Sequence, residues 1–277
     1  MNGDSNETIT VQNGTDLTVT GHTYANDTVI LGTFPINNNN QDTTLSLQEK
    51  VVVGTVETAF FTFDTINVSG HAQIGDLTEG AETDRLTINI ADHSNLTTTI
   101  HAGGYIDSLV VNGASSTSLS NIGDSIVNGA TIDADVIGHG SWSFLAHPPG
   151  GGFLEFGDAV GHGQTVNLGF NSTLRIDQPD AFKGLINTGN VWSRSLGSIL
   201  LGGVQADSWS YHRDMLTLMN NGTVVDRLRL EQAAGAQPFQ VSQTSTGIII
   251  SGQNGGSGGA VLPEVNQGHA RVAHKIT

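Results

Sequence analysis

Leu86-Thr87-Ile88-Asn89-Ile90 alternates apolar and polar residues without a break. Successive side chains of an extended chain point to opposite sides, so a period of two marks a strand with one buried face. The same apolar pair at i and i+2 recurs outward from this stretch in both directions. Before it come Ile9/Val11, Leu17/Val19, Val29/Leu31, Leu45/Leu47, Val51/Val53, Phe61/Phe63 and Ile66/Val68. After it come Leu109/Val111, Trp142/Phe144, Leu154/Phe156, Val166/Leu168 and Leu174/Ile176. Short gaps of Gly, Asn, Asp, Ser and Thr separate the pairs, and no helical period competes. Many short strands joined by tight polar turns predict an all-β chain.

A turn of about 20 residues would wind the first region into eight or nine coils, within the range of solenoid repeats. A parallel β-helix (β-solenoid) suits strands of a few residues, with Val, Ile, Leu and Phe stacked inside and Thr, Ser and Asn outside. A β-sandwich would want longer strands and clearer hairpins. Asn-Gly at 13–14, 112–113 and 128–129, and Gly-His at 21–22, 70–71, 138–139 and 161–162, are the expected turns.

Three regions and a tail follow. Residues 1–178 form the solenoid. Residues 179–252 bring larger side chains, including Phe182, Trp192, Trp209, Tyr211 and Phe239. There Met215–Met219 and Val224–Leu230 flank Asn220-Asn221-Gly222-Thr223, a hairpin signal. Phe239–Ser242 and Ile248–Ile250 flank a second turn. A solenoid end exposes strand edges, so an antiparallel, hairpin-rich C-terminal cap is expected here. Residues 253–260 read as a Gly/Ser linker and 261–277 as an extended tail.

The module Phe153-Leu154-Glu155-Phe156, Gln164–Leu168, Thr173–Asp177 and Ala181-Phe182-Lys183-Gly184, continued by Ser208–Tyr211, Leu216–Leu218 and Leu228–Leu230, resembles part of large β-solenoid proteins of alphaproteobacteria. Those are similar to autotransporter passengers and secreted adhesins. The resemblance spans about residues 153–250 and implies an extracellular or cell-surface structural role, with no activity. No membrane-barrel strands ending in an aromatic residue follow, so self-anchoring in an outer membrane is not expected.

Composition narrows the functions. The 277 residues carry no Cys, which removes disulfides and thiolate metal sites. No apolar run approaches the length of a membrane-spanning helix. The first residues, Met1 to Glu7, lack the basic and apolar parts of a signal peptide, leaving the export route open. Acidity is concentrated: residues 1–150 hold only Lys50 and Arg85 against 17 Asp and Glu. That half repels phosphate backbones, which excludes nucleic acid as its partner.

The enzyme alternative is a polysaccharide hydrolase or lyase. Asp133 and Asp135 would share one face of a strand about 7 Å apart, a separation that inverting glycosidases use. His139 follows in a Gly-His-Gly like that of polygalacturonases. Yet that family takes its carboxylates and His from separate coils, its Arg-Ile-Lys is missing, and Gly161-His162-Gly163 repeats the tripeptide. A recurrent turn explains it better. No nucleophile elbow and no His-Glu-x-x-His occurs. Calcium is the candidate cation, at Asp76, Glu79, Glu82 and Asp84, since carboxylate oxygens suit a hard ion; solvated acidic turns are the plainer reading. No other cofactor is implied. Thr97, Thr98 and Thr99 read as strand propensity.

The expected function is therefore a non-enzymatic structural or adhesive building block. Its partners would be other copies of itself and cell-surface polysaccharide. The tail alternates Val272, His274 and Ile276 with Arg271, Ala273 and Lys275, the pattern of a short strand. With Val261, Leu262 and Val265 as apolar anchors, it is the expected self-association element, a basic strand for an acidic neighbour.

Overall fold

The computed structural model describes residues 8–11, 15–21, 23–31, 43–58, 63–79, 85–101, 109–113, 116–127, 129–144, 152–169, 171–189, 197–232, 239–252 and 260–265. About three quarters of these residues are strand, and the single helical element among them is a 3-10 turn at Pro179–Ala181. The chain winds as a parallel β-solenoid with three stacks of strands.

The register defines each stack. In the first, Leu17, Leu45, Ile66, Ile88, Val111, Ile132, Phe156, Ile176 and Leu201 succeed one another inside. In the second, Val51, Ala72, Leu96, Leu119, Val136, Val160 and Phe182 do so. In the third the order is Val29, Val56, Leu77, Ile100, Ser125, Trp142, Val166, Ile186 and Leu230. From Leu17 to Ile186 each turn visits the first, second and third stacks in that order. Thr43–Thr58 and Phe63–Glu79 pass through all three as continuous bent strands. Both members of most expected apolar pairs are buried, including Leu45/Leu47, Leu86/Ile88/Ile90 and Leu174/Ile176. Each fully buried Leu or Ile contributes about 1.5–3 kcal/mol.

Corners need special backbone. At the first corner Glu49 stacks on Gly70, which has φ 113°, and a Cβ on Gly70 would lie 2.4 Å from the Glu49 carbonyl oxygen. Only Gly fits there. Gly138-His139-Gly140 and Gly161-His162-Gly163 turn the second corner on successive turns, since Val136 stacks on Val160 and Gly140 on Gln164. They are the recurrent turn expected of them. Asn112-Gly113 is different: it ends the strand Leu109–Gly113 rather than making a positive-φ turn. Gly113 is small because a Cβ would meet Thr117 Oγ1 at 2.3 Å and Asp133 O at 2.5 Å.

The interior turns polar midway. Asn121, Ser125 and Gln164 are buried with Trp142. Gln164 Oε1 accepts from Trp142 Nε1 (3.0 Å) and Asn121 Nδ2 (3.2 Å), while its Nε2 donates to Ile137 O (2.7 Å) and Asn121 O (3.1 Å). Ser125 donates to Asn121 Oδ1 (3.0 Å) and accepts from Ile100 N (3.0 Å). A buried polar network of this kind is tolerable because its members are paired.

The parallel stacks continue through Leu185–Gly189 and Ser198–Gly202 before the antiparallel cap begins. Thr223–Gln232 joins the third stack in parallel and pairs antiparallel with Met215–Asn220. The connecting turn has positive φ at Asn221 and Gly222, as the hairpin signal requires. Gly247–Gly252 lies antiparallel on Ser198–Gly202 and on Phe239–Gln243. Residues 260–265 then bridge the two hairpins. Ala260–Val261 pairs with Phe239–Gln243, and Val265 N donates to Trp209 O at 2.6 Å.

The other end is unlike this one. Thr8–Val11 and Asp16–Thr20 each pair on one side only, and among the described residues nothing covers their outer edges. Ile9 and Leu17 on this rung are only partly buried.

Candidate functional site

The three sequence candidates for catalysis do not converge. The chain bends between Asp133 and Asp135 because Ala134 is buried at the corner. Asp133 therefore ends a first-stack strand and Asp135 begins a second-stack strand, so the expected shared strand face does not exist. His139 is exposed in the second corner. No hydrogen bond or ion pair joins any two of the three.

Asp133 instead belongs to a carboxylate cluster assembled from successive turns. Thr131 stacks on Glu155 and Glu155 on Arg175, while Phe156 on Ile176 brings Gly157 level with Asp177. Gly157 lies beneath Asp133, and a Cβ there would meet Asp133 Oδ1 at 2.1 Å. Arg175 Nε donates to Asp177 Oδ1 at 2.8 Å and lies 3.6 Å from Glu155 Oε1. Gln178 Nε2 donates to Asp158 Oδ1 at 2.8 Å. Burial, then the charges of Asp158 and Asp177, hold the Asp133 carboxyl above its ordinary value. Glu155 is likewise raised, by burial first; the Arg175 guanidinium opposes the shift, and Asp177 and Asp133 reinforce it. The one signal in the sequence was the turn length: Asp133, Glu155 and Asp177 come from three consecutive turns.

The calcium candidates divide. Asp76 faces outward on the third stack and pairs with His101 Nε2 of the next turn at 3.3 Å. Glu79 closes the same strand. Glu82 and Asp84 lie outside the described residues. Among the described residues no three His, Asp or Glu side chains are grouped closely enough to hold a metal.

On the outer surface of the first stack Asn67, Asn89 and Asn112 form an amide ladder. Asn89 Nδ2 donates to Asn67 Oδ1 and Asn112 Nδ2 to Asn89 Oδ1, both at 2.9 Å. The ladder ties three turns together and borders a shallow groove of about 370 Å3.

At the cap, Val261, Leu262 and Val265 sit in the strap that binds the two hairpins of their own chain. Leu262 packs on the core, while Val261 and Val265 are exposed. Arg271, Val272, Lys275 and Ile276 lie outside the described residues. The strap forms one side of an open cavity of about 490 Å3 whose other walls include Trp209, Tyr211, Phe239 and Gln232. Neither the cavity nor the strap was visible in the sequence, which offered only scattered aromatics and a Gly-rich linker.

No protein-family model matches the chain, and no curated protein matches it. Residues 153–250 contribute parallel rungs of the β-solenoid and its antiparallel cap, and no family model or curated relative supports the alphaproteobacterial or autotransporter resemblance expected for them.

Proposed function

We propose that this chain is a non-enzymatic structural rod of an extracellular or cell-surface assembly, built by head-to-tail joining of copies. The observation that carries this reading is the asymmetry of the ends. Among the described residues the first rung offers two unpaired edges, Thr8–Val11 and Asp16–Thr20, with Ile9 and Leu17 only partly covered. The last turn is closed by two hairpins and the strap. Unpaired edges are templates for an added strand. The segment after Val265 has the alternation of a strand and carries Arg271 and Lys275, while the half of the chain that holds the open edge is strongly acidic. Contacts between unlike ends are heterologous and propagate as filaments unless they close into rings.

The test is deletion of residues 266–277, which leaves the strap in place, followed by sedimentation and electron microscopy over a range of salt. Full-length protein should form filaments that weaken with salt, and the truncated protein should stay monomeric. Equal size for both proteins at every salt concentration refutes the reading.

A second reading, hydrolysis of a polysaccharide, is favoured by one observation: Asp133 and Asp177 flank the bare backbone of Gly157, with the raised Glu155 alongside. Two rungs separate these carboxylates, about 10 Å by strand spacing. New reducing ends from an acidic or neutral polysaccharide, lost in Glu155→Gln, would establish it in place of the structural reading.

A further inference from the structure

The cavity beside the strap has a chemistry that the rod does not need. Its aromatic wall is tightly organised: the Trp209 and Phe239 rings lie 5.1 Å apart, and Tyr211 meets Phe239 edge-on at 5.3 Å. The polar atoms of two of these rings are already engaged by the protein. Trp209 Nε1 donates to Leu262 O at 3.1 Å, and the Tyr211 hydroxyl proton is shared between Leu230 O (2.7 Å) and Asp214 Oδ1 (3.2 Å). What these two rings offer the cavity is ring carbon. Three polar residues complete the lining, Gln232, Gln240 and Glu264, and Gln240 is already engaged within the protein. Gln232 Nε2 is buried and, among the described residues, has no hydrogen-bond acceptor, and Glu264 brings an exposed carboxylate. An orphaned buried donor costs free energy that a ligand acceptor can recover.

We propose that this cavity binds a neutral glycosyl residue of a polysaccharide. A sugar ring presents C–H faces to aromatic carbon, and its hydroxyls both accept and donate. One hydroxyl answers the Gln232 amide and another the Glu264 carboxylate. The competing ligand classes each fail on one of these groups. A cation would suit the rings and Glu264 but meets the positive end of the Gln232 amide and leaves that donor unpaired. An anion meets Glu264 on a chain of net charge −16. A purely apolar ligand leaves Gln232 and Glu264 unanswered. The volume lies within the range of about 300–1,000 Å3 usual for small-molecule sites. Val261 and Val265, both exposed at the strap, extend an apolar surface beside Leu262 and Glu264 for the continuing chain of the polymer. None of the described residues that line the site belongs to the edges of the first rung, so sugar binding and filament formation are tested separately.

The test uses the full-length protein and a panel of linear neutral gluco-, galacto- and manno-oligosaccharides. Binding is read by saturation-transfer NMR and by titration of tryptophan fluorescence. At least one oligosaccharide should bind saturably. Gln232→Leu and Glu264→Ala should each weaken it by about tenfold or more while keeping the wild-type circular dichroism and thermal unfolding. Tetramethylammonium and a peptide of residues 266–277 serve as the alternative occupants and should not compete. The proposal is overturned if no neutral oligosaccharide binds, if both variants bind as the wild type does, or if either alternative occupant displaces the sugar.

Discussion

Gln164→Leu should destabilise the solenoid far more than its conserved side-chain volume suggests. Gln164 is fully buried and makes four hydrogen bonds, two through each end of its amide. Leucine removes all four. Asn121 Nδ2 keeps Ser141 O at 3.2 Å, so its loss is small. Trp142 Nε1 and Ile137 O lose the side-chain partners shown for them. Each orphaned group costs about 1–3 kcal/mol, and the added apolar burial returns part of that. The net loss is about 2–4 kcal/mol, a large share of the 5–15 kcal/mol typical of a domain. Urea unfolding followed by far-UV circular dichroism measures it, with hydrogen exchange to check that the turns unfold together, because solenoids need not be two-state. Trp142→Phe supplies the decisive control. It deletes the N–H that Gln164→Leu orphans, so the double mutant should lose less than the two single mutants together, by about 1 kcal/mol or more. A Gln164→Leu midpoint equal to wild type, or strictly additive single mutants, would refute the account of the network.

Three further outcomes are expected. Ile88→Asp should abolish folding by circular dichroism, since an unpaired buried charge costs several kcal/mol, whereas Thr87→Asp on the outer face should change stability by no more than about 0.5 kcal/mol; equal effects would place the register wrongly. Tyr211 has its phenol pushed up to about 12, by burial first and then by its hydrogen bond to Asp214. The stability this contributes is complete below the unfolded value of about 10 and is lost as pH rises through about 12, so alkaline absorbance titration should show a late phenolate component that Tyr211→Phe removes. Glu155 is held above the ordinary glutamate range by burial, so the native state binds its proton more tightly than the unfolded chain does, and stability falls as pH rises upward from about 4.3. Glu155→Gln should flatten that part of the stability–pH curve, and an unchanged curve would show that the carboxyl is not raised.

The sequence by itself determined the strands, their buried faces and the two cap hairpins. Alternation such as Leu86-Thr87-Ile88-Asn89-Ile90 is a local property of a pleated backbone, and Asn221-Gly222 supplies its own turn geometry. Short strands with short polar gaps were enough to select a wound parallel sheet over a sandwich. Tertiary structure alone decided which residues meet across turns. From Leu45 onward successive residues of the first stack are 20 to 25 positions apart, and that offset depends on how each rung packs on the last. It parted Asp133 from Asp135 at the Ala134 corner and gathered Asp133, Glu155 and Asp177 instead. It joined Asn121 to Gln164 across 43 positions, and it folded residues 260–265 back between two hairpins where a linker and tail were expected. Side-chain alternation is fixed by bonds one residue apart, whereas inter-turn register is fixed by packing in the interior, and a single strand carries no trace of the neighbour it will lie on.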